Sequence, residues 1–584
     1  MKIAFLLPLI FLCACGIKQK ELGAVYRGAL QMDVKGLDPA QAEDVYSSIA
    51  INQSYEALLQ YHYLKRPYEL EPLLADSMPY VSKDGLEYRF KIKRRVRFQD
   101  DPCFKGVPRY LSAHDFVYSI KRLADIKVKS TGWWIFDGRI AGLDDFRKKS
   151  IDSKKTDYSI NVSGLFAADS HTLVIKLNEP FAQLPYFFAM TYTSAVSREA
   201  VEYYGEEFLN HPVGTGPFKL IEWRRQMRLK YIRNPLFRDA FYPTEGDEGD
   251  ETKGLLSDAG LRIPFLDTLI LNIYSESEPM WLTFQRYGLE KAWIPKDNFD
   301  KVVRPGFELS PDLQAKGISM SVSPSLDVTY SPINMEDSIW GRNVHLRRAI
   351  SYAKNIKKTI ELLYNNRAIP SHSPIPPGLL GYEDDFINPY QKYDTTEAKK
   401  EMVKAGYPGG KGLPELHYIE TSDVLSRQFS DKFNQEMAVI GIKVKVDAVT
   451  WPEFNKRLRM KKYQIAGAAW GADYPDPENF LQLLYGPNEA PGTNTSNFKN
   501  REYDSLYLQL ARENDNKKRL EIIKRMKVIL TTELPWIPGV HRLIIGLKYD
   551  WVKNYKYNDL SQGEYKYIRI DTALRNSRIR ETWK

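Results

Sequence analysis

LHYIETSDVLSRQFSDKFNQEMAVIGIKVKV, residues 416–446, carries the fold class of this chain. Leu416 to Ile419 are a short run suited to a strand. Leu425, Phe429, Phe433 and Met437 then recur every four residues, the spacing of one helix face, until Gly441 ends the pattern. Ile442, Val444 and Val446 alternate as the next strand. Two strands joined through a helix imply a parallel sheet flanked by helices, an α/β architecture.

Helix and strand alternate in this way from about residue 340, beginning with a helix that carries Leu346, Ile350 and Ala353 on one face. The first third mixes β and α. Leu86, Tyr88, Phe90 and Ile92 alternate after the turn Asp84-Gly85, as a hairpin strand does. Ser112 and Asp115 have capping-box spacing ahead of a helix with Phe116, Ile120 and Leu123. A strand over His171 to Leu177 is closed by Glu179-Pro180, and the turn Val213-Gly214-Thr215-Gly216-Pro217 feeds an antiparallel pair through Phe218, Leu220, Met227, Leu229 and Tyr231. No internal repeat is present. The acidic run Glu245 to Glu251 reads as a mobile surface loop.

At the N-terminus, Lys2 precedes the apolar run Ile3 to Leu12, too short to span a bilayer but suited to a secretory signal. Leu12-Cys13-Ala14-Cys15-Gly16 follows and resembles the bacterial lipobox, which implies a signal over residues 1–15 and a lipid anchor on Cys15. An ordinary signal peptide is the other reading. Cys103 would then be the one remaining thiol, so core burial and not disulfides must stabilise the exported chain. Roughly 570 mature residues suffice for two or three domains.

A net charge of +9 invites a nucleic-acid reading, but the basic residues are scattered and form no stripe, so no nucleic-acid partner is expected. The 37 tyrosines and 11 tryptophans suit a wet recognition cleft, having apolar bodies and polar tips. Enzyme signatures are absent: the eight histidines never take helical metal-site spacing, and neither a G-x-S-x-G elbow nor a Walker loop occurs. Gly214-Thr215-Gly216 precedes a strand and reads as a turn, not a phosphate cradle. The 245–251 run lacks the oxygen spacing of a calcium loop. No metal, cofactor or catalytic residue is expected.

Several segments together resemble the peptide-binding family of bacterial ABC-transporter solute receptors, the oligopeptide and dipeptide binding proteins. They are Gly36-Leu37-Asp38-Pro39, the stretch Tyr68 to Asp76 before Ser82-Lys83-Asp84-Gly85, His114 to Arg122, Val213 to Phe218 with Arg233-Asn234-Pro235, Leu346 to Ile350, and Trp470-Gly471-Ala472-Asp473-Tyr474-Pro475-Asp476-Pro477. Their order and spacing carry the likeness; no single one does. The resemblance implies a two-lobed, periplasmic-binding-protein-like flytrap: lobe one from residues 22–300 and 537–584 with an inserted subdomain at about 66–185, and lobe two from 301–536. It also implies a monomeric receptor of the cell envelope, periplasmic or extracytoplasmic, that binds extended peptides and delivers them to ABC permease subunits. Receptors of this fold for nickel chelates, haem, opines or oligosaccharides, and an envelope enzyme or sensor reusing it, are the alternatives.

Carried over residue by residue, Asp473 falls where the family pairs a carboxylate with the ligand α-ammonium, flanked by Trp470 and Gly471. Glu43 and Val45 match a lobe-one loop that touches ligand backbone. Trp451 and Asn494 match further cleft contacts, and Trp133, Trp134 and Phe136 fall in the corresponding subdomain stretch. Asp473 also suits a turn, Trp451 and Trp470 a core, and Glu43 a solvated surface. Where family members use an arginine and a histidine for the ligand carboxylate, this chain has Gly467 and Leu425. The segments 101–106 and 244–261 look inserted relative to simple members, as docking or specificity elements or as longer surface loops.

Overall fold

In the structure, a computed structural model describing residues 23–560 and 563–582, the strands Leu416–Thr421 and Val444–Val449 pair in parallel. The helix Val424–Ala438 joins them, and Ile465–Ala466 adds a third parallel strand. Phe433 and Met437 pack beneath the helix against Leu346, Ile350, Leu416 and Ile442. Each such burial stabilises by about 1.5–3 kcal/mol. Leu425, nearer the helix start, stays outside this core.

The other lobe is built on a mixed sheet in the order Val25–Leu30, Thr268–Ile273, Arg228–Arg233, Phe218–Arg224, the first pair parallel and the rest antiparallel. The turn feeding it runs hard against Gln53 and Ser54: Gly216 N–H donates to the Ser54 carbonyl at 2.9 Å and Phe218 N–H to that of Gln53 at 3.0 Å. A Cβ at Gly214 or Gly216 would collide with the Ser54 backbone, so close approach accounts for both glycines. A four-stranded antiparallel sheet, Tyr80–Val81, Glu87–Lys91, Thr172–Lys176 and Leu165–Asp169, forms a subdomain with its own core around Phe90, Phe116, Ile120 and Leu173. Its helix Ala113–Ala124 starts as expected, Asp115 accepting from the Ser112 backbone N–H at 2.7 Å. Near the other end of that helix Arg122 forks onto Asp38 at 2.9 and 2.6 Å, both buried. The aspartate of Gly36-Leu37-Asp38-Pro39 thus bolts the subdomain to its lobe.

The chain passes between the lobes along Ile318–Pro324 into Asp327–Pro332 and back along Trp536–Pro538 into Val540–Tyr549. Both passages pair antiparallel with each other. Phe299, Val302, Leu309, Leu313 and Ile318 belong to the core that holds Tyr26, Leu271 and Leu547. Hydrophobic packing therefore carries the first lobe past residue 300, where the sequence reading divided the chain. At the return, Trp536 packs in the second lobe and Ile545 in the first, on either side of the expected division at 537.

The acidic run is anchored at its aspartates while Glu245, Glu248 and Glu251 stay exposed, so it is only in part the solvated loop its composition suggested. Asp247 and Asp250 both accept from Lys556 Nζ at 2.7 Å, Asp247 accepts from Arg66 N–H at 2.8 Å, and Asp250 is buried. Lys556, some 300 positions distant along the chain, ties the two aspartates down. Cys103 is buried and its thiol pKa is pushed up to about 12, first by burial and then by Asp101, so it is no ready nucleophile. Cys13 and Cys15 lie outside the described residues.

Candidate functional site

A cavity of about 1180 Å³ lies where the subdomain, the first lobe and the second lobe meet. Asp44 shapes its first-lobe rim by capping the helix Val45–Ile51, accepting from Ser47 N–H at 2.8 Å. Glu43 and Val45 consequently stand on the cavity wall, Val45 59% exposed and Glu43 paired with Lys35.

The opposite wall comes from the end of the strand Ala468–Gly471. This strand is the edge of a three-stranded antiparallel sheet whose middle member is Asp327–Pro332. Ala472 N–H donates to the Leu326 carbonyl at 2.8 Å, which fixes the ladder phase. Trp470 and Ala468 therefore face the partner strand with their backbone groups, while those of Ala469 and Gly471 point off the free edge.

Beyond the strand, buried Asn479 organises the site. Its Oδ1 accepts from the Trp470 indole N–H at 3.1 Å and from Asp473 N–H at 3.0 Å, and its Nδ2 donates to Asp473 Oδ2 at 3.0 Å. Asp473 opens into the cavity, yet enough protein surrounds it for desolvation to raise its pKa, against the opposing Asn479 hydrogen bond. Among the described residues no lysine, arginine or histidine stands within ion-pairing distance of it. A carboxylate so placed lowers its energy by receiving a cation.

Tyr474 crosses the gap between the lobes. Its ring stacks on Tyr186 at 5.7 Å and meets Phe187 edge-on, inside the subdomain core. Its hydroxyl donates to Glu478 at 2.5 Å, and the Tyr507 hydroxyl donates to the same carboxylate. Burial raises the Glu478 pKa while the two tyrosines oppose the rise. Nearby, Ala182 N–H donates to the Ala511 carbonyl at 3.1 Å, a second bridge between subdomain and second lobe.

Of the residues singled out from sequence, Asp473, Trp470, Glu43, Val45 and Trp134 line the cavity together. Gly471 lies next to the wall on the open edge, with nothing within 4 Å of where a Cβ would be. The others are elsewhere. Trp451 is 64% exposed at the start of the helix Trp451–Arg459, stacked on Phe454 and off the cavity wall. Asn494 is wholly buried and committed to its own loop, its Nδ2 donating to Tyr485 and Phe498 carbonyls at 3.0 and 2.9 Å; the neighbouring Thr493 lines the cavity instead. Trp133 packs under the Arg147 guanidinium at 4.8 Å, and Phe136 is in the subdomain core. Sequence reasoning missed Asn479, whose only signal is its place after Asp476-Pro477. Among the described residues no cluster suited to a metal occurs.

Two lobes joined by paired strands around a large polar and aromatic cavity define a bilobal solute-binding protein. The chain belongs to the bacterial extracellular solute-binding proteins, family 5: the family model described as "family 5 Middle" matches residues 69–492. Among its curated relatives are the haem-binding protein A of Haemophilus influenzae, 25% identical over 92% of this chain and 90% of that one. Another is the dipeptide-binding protein of Escherichia coli K12, 24% identical over 86% of each. The solved structure of the periplasmic binding protein DppA from Helicobacter pylori with the peptide STSA superposes with a TM-score of 0.69, at 24% identity, over 94% of this chain and 98% of that one.

Proposed function

We propose that this protein is the extracytoplasmic receptor of an ABC importer, capturing peptides between its lobes and presenting them to the permease, with no catalytic step of its own. Asp473 carries the reading: an acid with no cationic partner, held by Asn479 on the wall of a cavity large enough for a short peptide. The peptide α-ammonium supplies the missing charge. Beside it, the open edge at Ala469 and Gly471 offers backbone donors and acceptors for an extended chain, recognition that is tolerant of side chains. A dipeptide-binding relative and a peptide-bound structural neighbour support this ligand class. A haem-binding relative favours a second reading, for which Met190 and tyrosines such as Tyr192 on the cavity wall are candidate iron ligands, but the unpaired carboxylate of Asp473 suits an amine better than haem's own carboxylates.

Mass spectrometry of material that stays bound through gentle purification tests the assignment. Peptides with free N-termini are expected; haem, with its Soret absorbance, or a sugar recovered in their place overturns it.

The receptor is tethered, in this reading, through lipid on Cys15, since the segment 12–16 has lipobox order. Among the described residues no helix is long and apolar enough to cross a membrane. Cys15→Ser is expected to abolish palmitate labelling and release the protein from membranes; labelling that persists rejects the anchor.

A further inference from the structure

We propose that Arg139 binds a carboxylate of the ligand, giving the cleft a second charged anchor opposite in sign to Asp473. The inference rests on the peptide reading and adds the group that takes the ligand's negative charge.

Three cationic side chains line the cavity: Arg139, Arg512 and Lys566. Two of them already have a hydrogen-bond partner, though the neutral Gln60 amide leaves the charge of Lys566 unmatched. Arg512 pairs with Glu179 at 3.3 Å, and Lys566 Nζ donates to Gln60 Oε1 at 2.7 Å. Arg139 has no oxygen partner among the described residues, and its buried Nε–H makes no hydrogen bond. Among the described residues the acids around it make no hydrogen bond or ion pair to it, although the guanidinium is near enough to Glu478 to help hold that carboxyl's pKa down. Glu478 is bonded by the Tyr474 and Tyr507 hydroxyls, Glu179 is held by Arg512, and Asp137 is exposed without an ion pair to it.

What Arg139 does touch is aromatic: its guanidinium lies over Phe181 at 4.1 Å and 5.7 Å from Phe187. Stacking uses the face of the guanidinium and leaves its N–H groups in the plane, a fork matched to the two oxygens of a carboxylate. The backbone beneath is fixed, Asn178 donating from its N–H to the Arg139 carbonyl at 2.8 Å and from Nδ2 to that of Gly138 at 2.9 Å. The fork is thus oriented before any ligand arrives, which lowers the entropy cost of using it. A zwitterionic ligand seated at Asp473 would have its negative end uncompensated unless another cation met it.

The carboxylate can be the peptide's C-terminus or an acidic side chain, and calorimetric titration separates the two. The probes are trialanine, its C-terminal amide, and the amides of Ala-Glu-Ala and Ala-Gln-Ala. In the full-length protein the carboxylate member of one pair should bind about 10- to 100-fold more tightly than its neutral counterpart, the range for a hydrogen bond to a charged group. Arg139→Gln should remove that preference, weakening the carboxylate member of the pair far more than the neutral one, and Arg139→Lys should restore part of it. A preference in the trialanine pair assigns the C-terminus; one in the glutamate pair assigns a side chain. Wild type binding both members of each pair equally, or Arg139→Gln weakening all four alike, overturns the inference and leaves the peptide reading standing. Failure of wild type to bind any of the four removes the peptide reading and this inference with it.

Discussion

At the scale of single residues, burial sets the chemistry. His541, on the return passage between the lobes, is fully buried, its Nδ1 2.6 Å from the Asp327 carbonyl and its Nε2 without a hydrogen-bond partner among the described residues. Desolvation pushes its pKa down to about 4 from an ordinary 6.5, only partly offset by Asp327. The unfolded chain therefore takes up a proton between those values and the folded chain does not, so stability is complete above about pH 6.5 and drains away as pH falls toward 4. The loss is roughly 2 kcal/mol at pH 5. Urea denaturation of wild type and His541→Gln at pH 5 and 7.5 should show that much less pH dependence in the variant; equal slopes contradict the assignment. The same scale shows where residue-level reading from sequence stops. Asp473 and Trp470 stand on the cavity wall because buried Asn479 bonds both, whereas Asn494 spends its amide on Tyr485 and Phe498. Both asparagines are equally polar in the sequence, and only the fold decides which partners each meets.

Elements were legible where periodicity speaks for itself. The strand, helix and strand over 416–449, the capped helix at 113–124 and the hairpin after Pro217 all follow from alternation, helical spacing and turn residues. The acidic run at 245–251 was legible only in part, because composition carries no sign of Lys556 and Arg66. Trp451 failed for a related reason: at a strand-to-helix junction the sequence does not say which way a side chain leaves, and it leaves toward solvent. The free edge of Ala468–Gly471 yields a prediction at this scale. If the ligand backbone adds to that edge, N-methylating one amide of a bound peptide leaves an acceptor unpaired and should cost about 1–3 kcal/mol, some 5- to 150-fold in affinity. Calorimetry on a series methylated one amide at a time checks this; tolerance at every position contradicts edge recognition.

Across the whole molecule, the lobes matter because neither encloses the cavity alone. Asp473 and Trp470 come from one, Glu43 and Val45 from the other, and Tyr474 spans the gap into the subdomain core. The two-lobed plan was legible through resemblance alone, while the passage points were not: packing from Phe299 to Ile318 decides them, and no local pattern marks it. In the proposed receptor, closure around a ligand would shift an existing equilibrium toward the form that holds it best. Such closure would also dry the surroundings of the Asp473 carboxylate, making a charge pair formed there worth more than one on an open surface. Truncating one member of such a pair costs about 2 to 5 kcal/mol. Asp473→Ala should therefore weaken peptide binding by roughly 30-fold to several thousand-fold, with little effect on folding.

Acetylating the peptide N-terminus removes the same interaction from the ligand side, which makes the pairing directly measurable. The decisive measurement is a calorimetric cycle of wild type and Asp473→Ala, each titrated with the free and the N-acetylated form of one peptide. The predicted result is a large loss for either change alone and little further loss for both together, as for groups in contact. Additive losses, or equal affinity of wild type for the free and acetylated peptides, would contradict the claim that Asp473 holds the ligand ammonium.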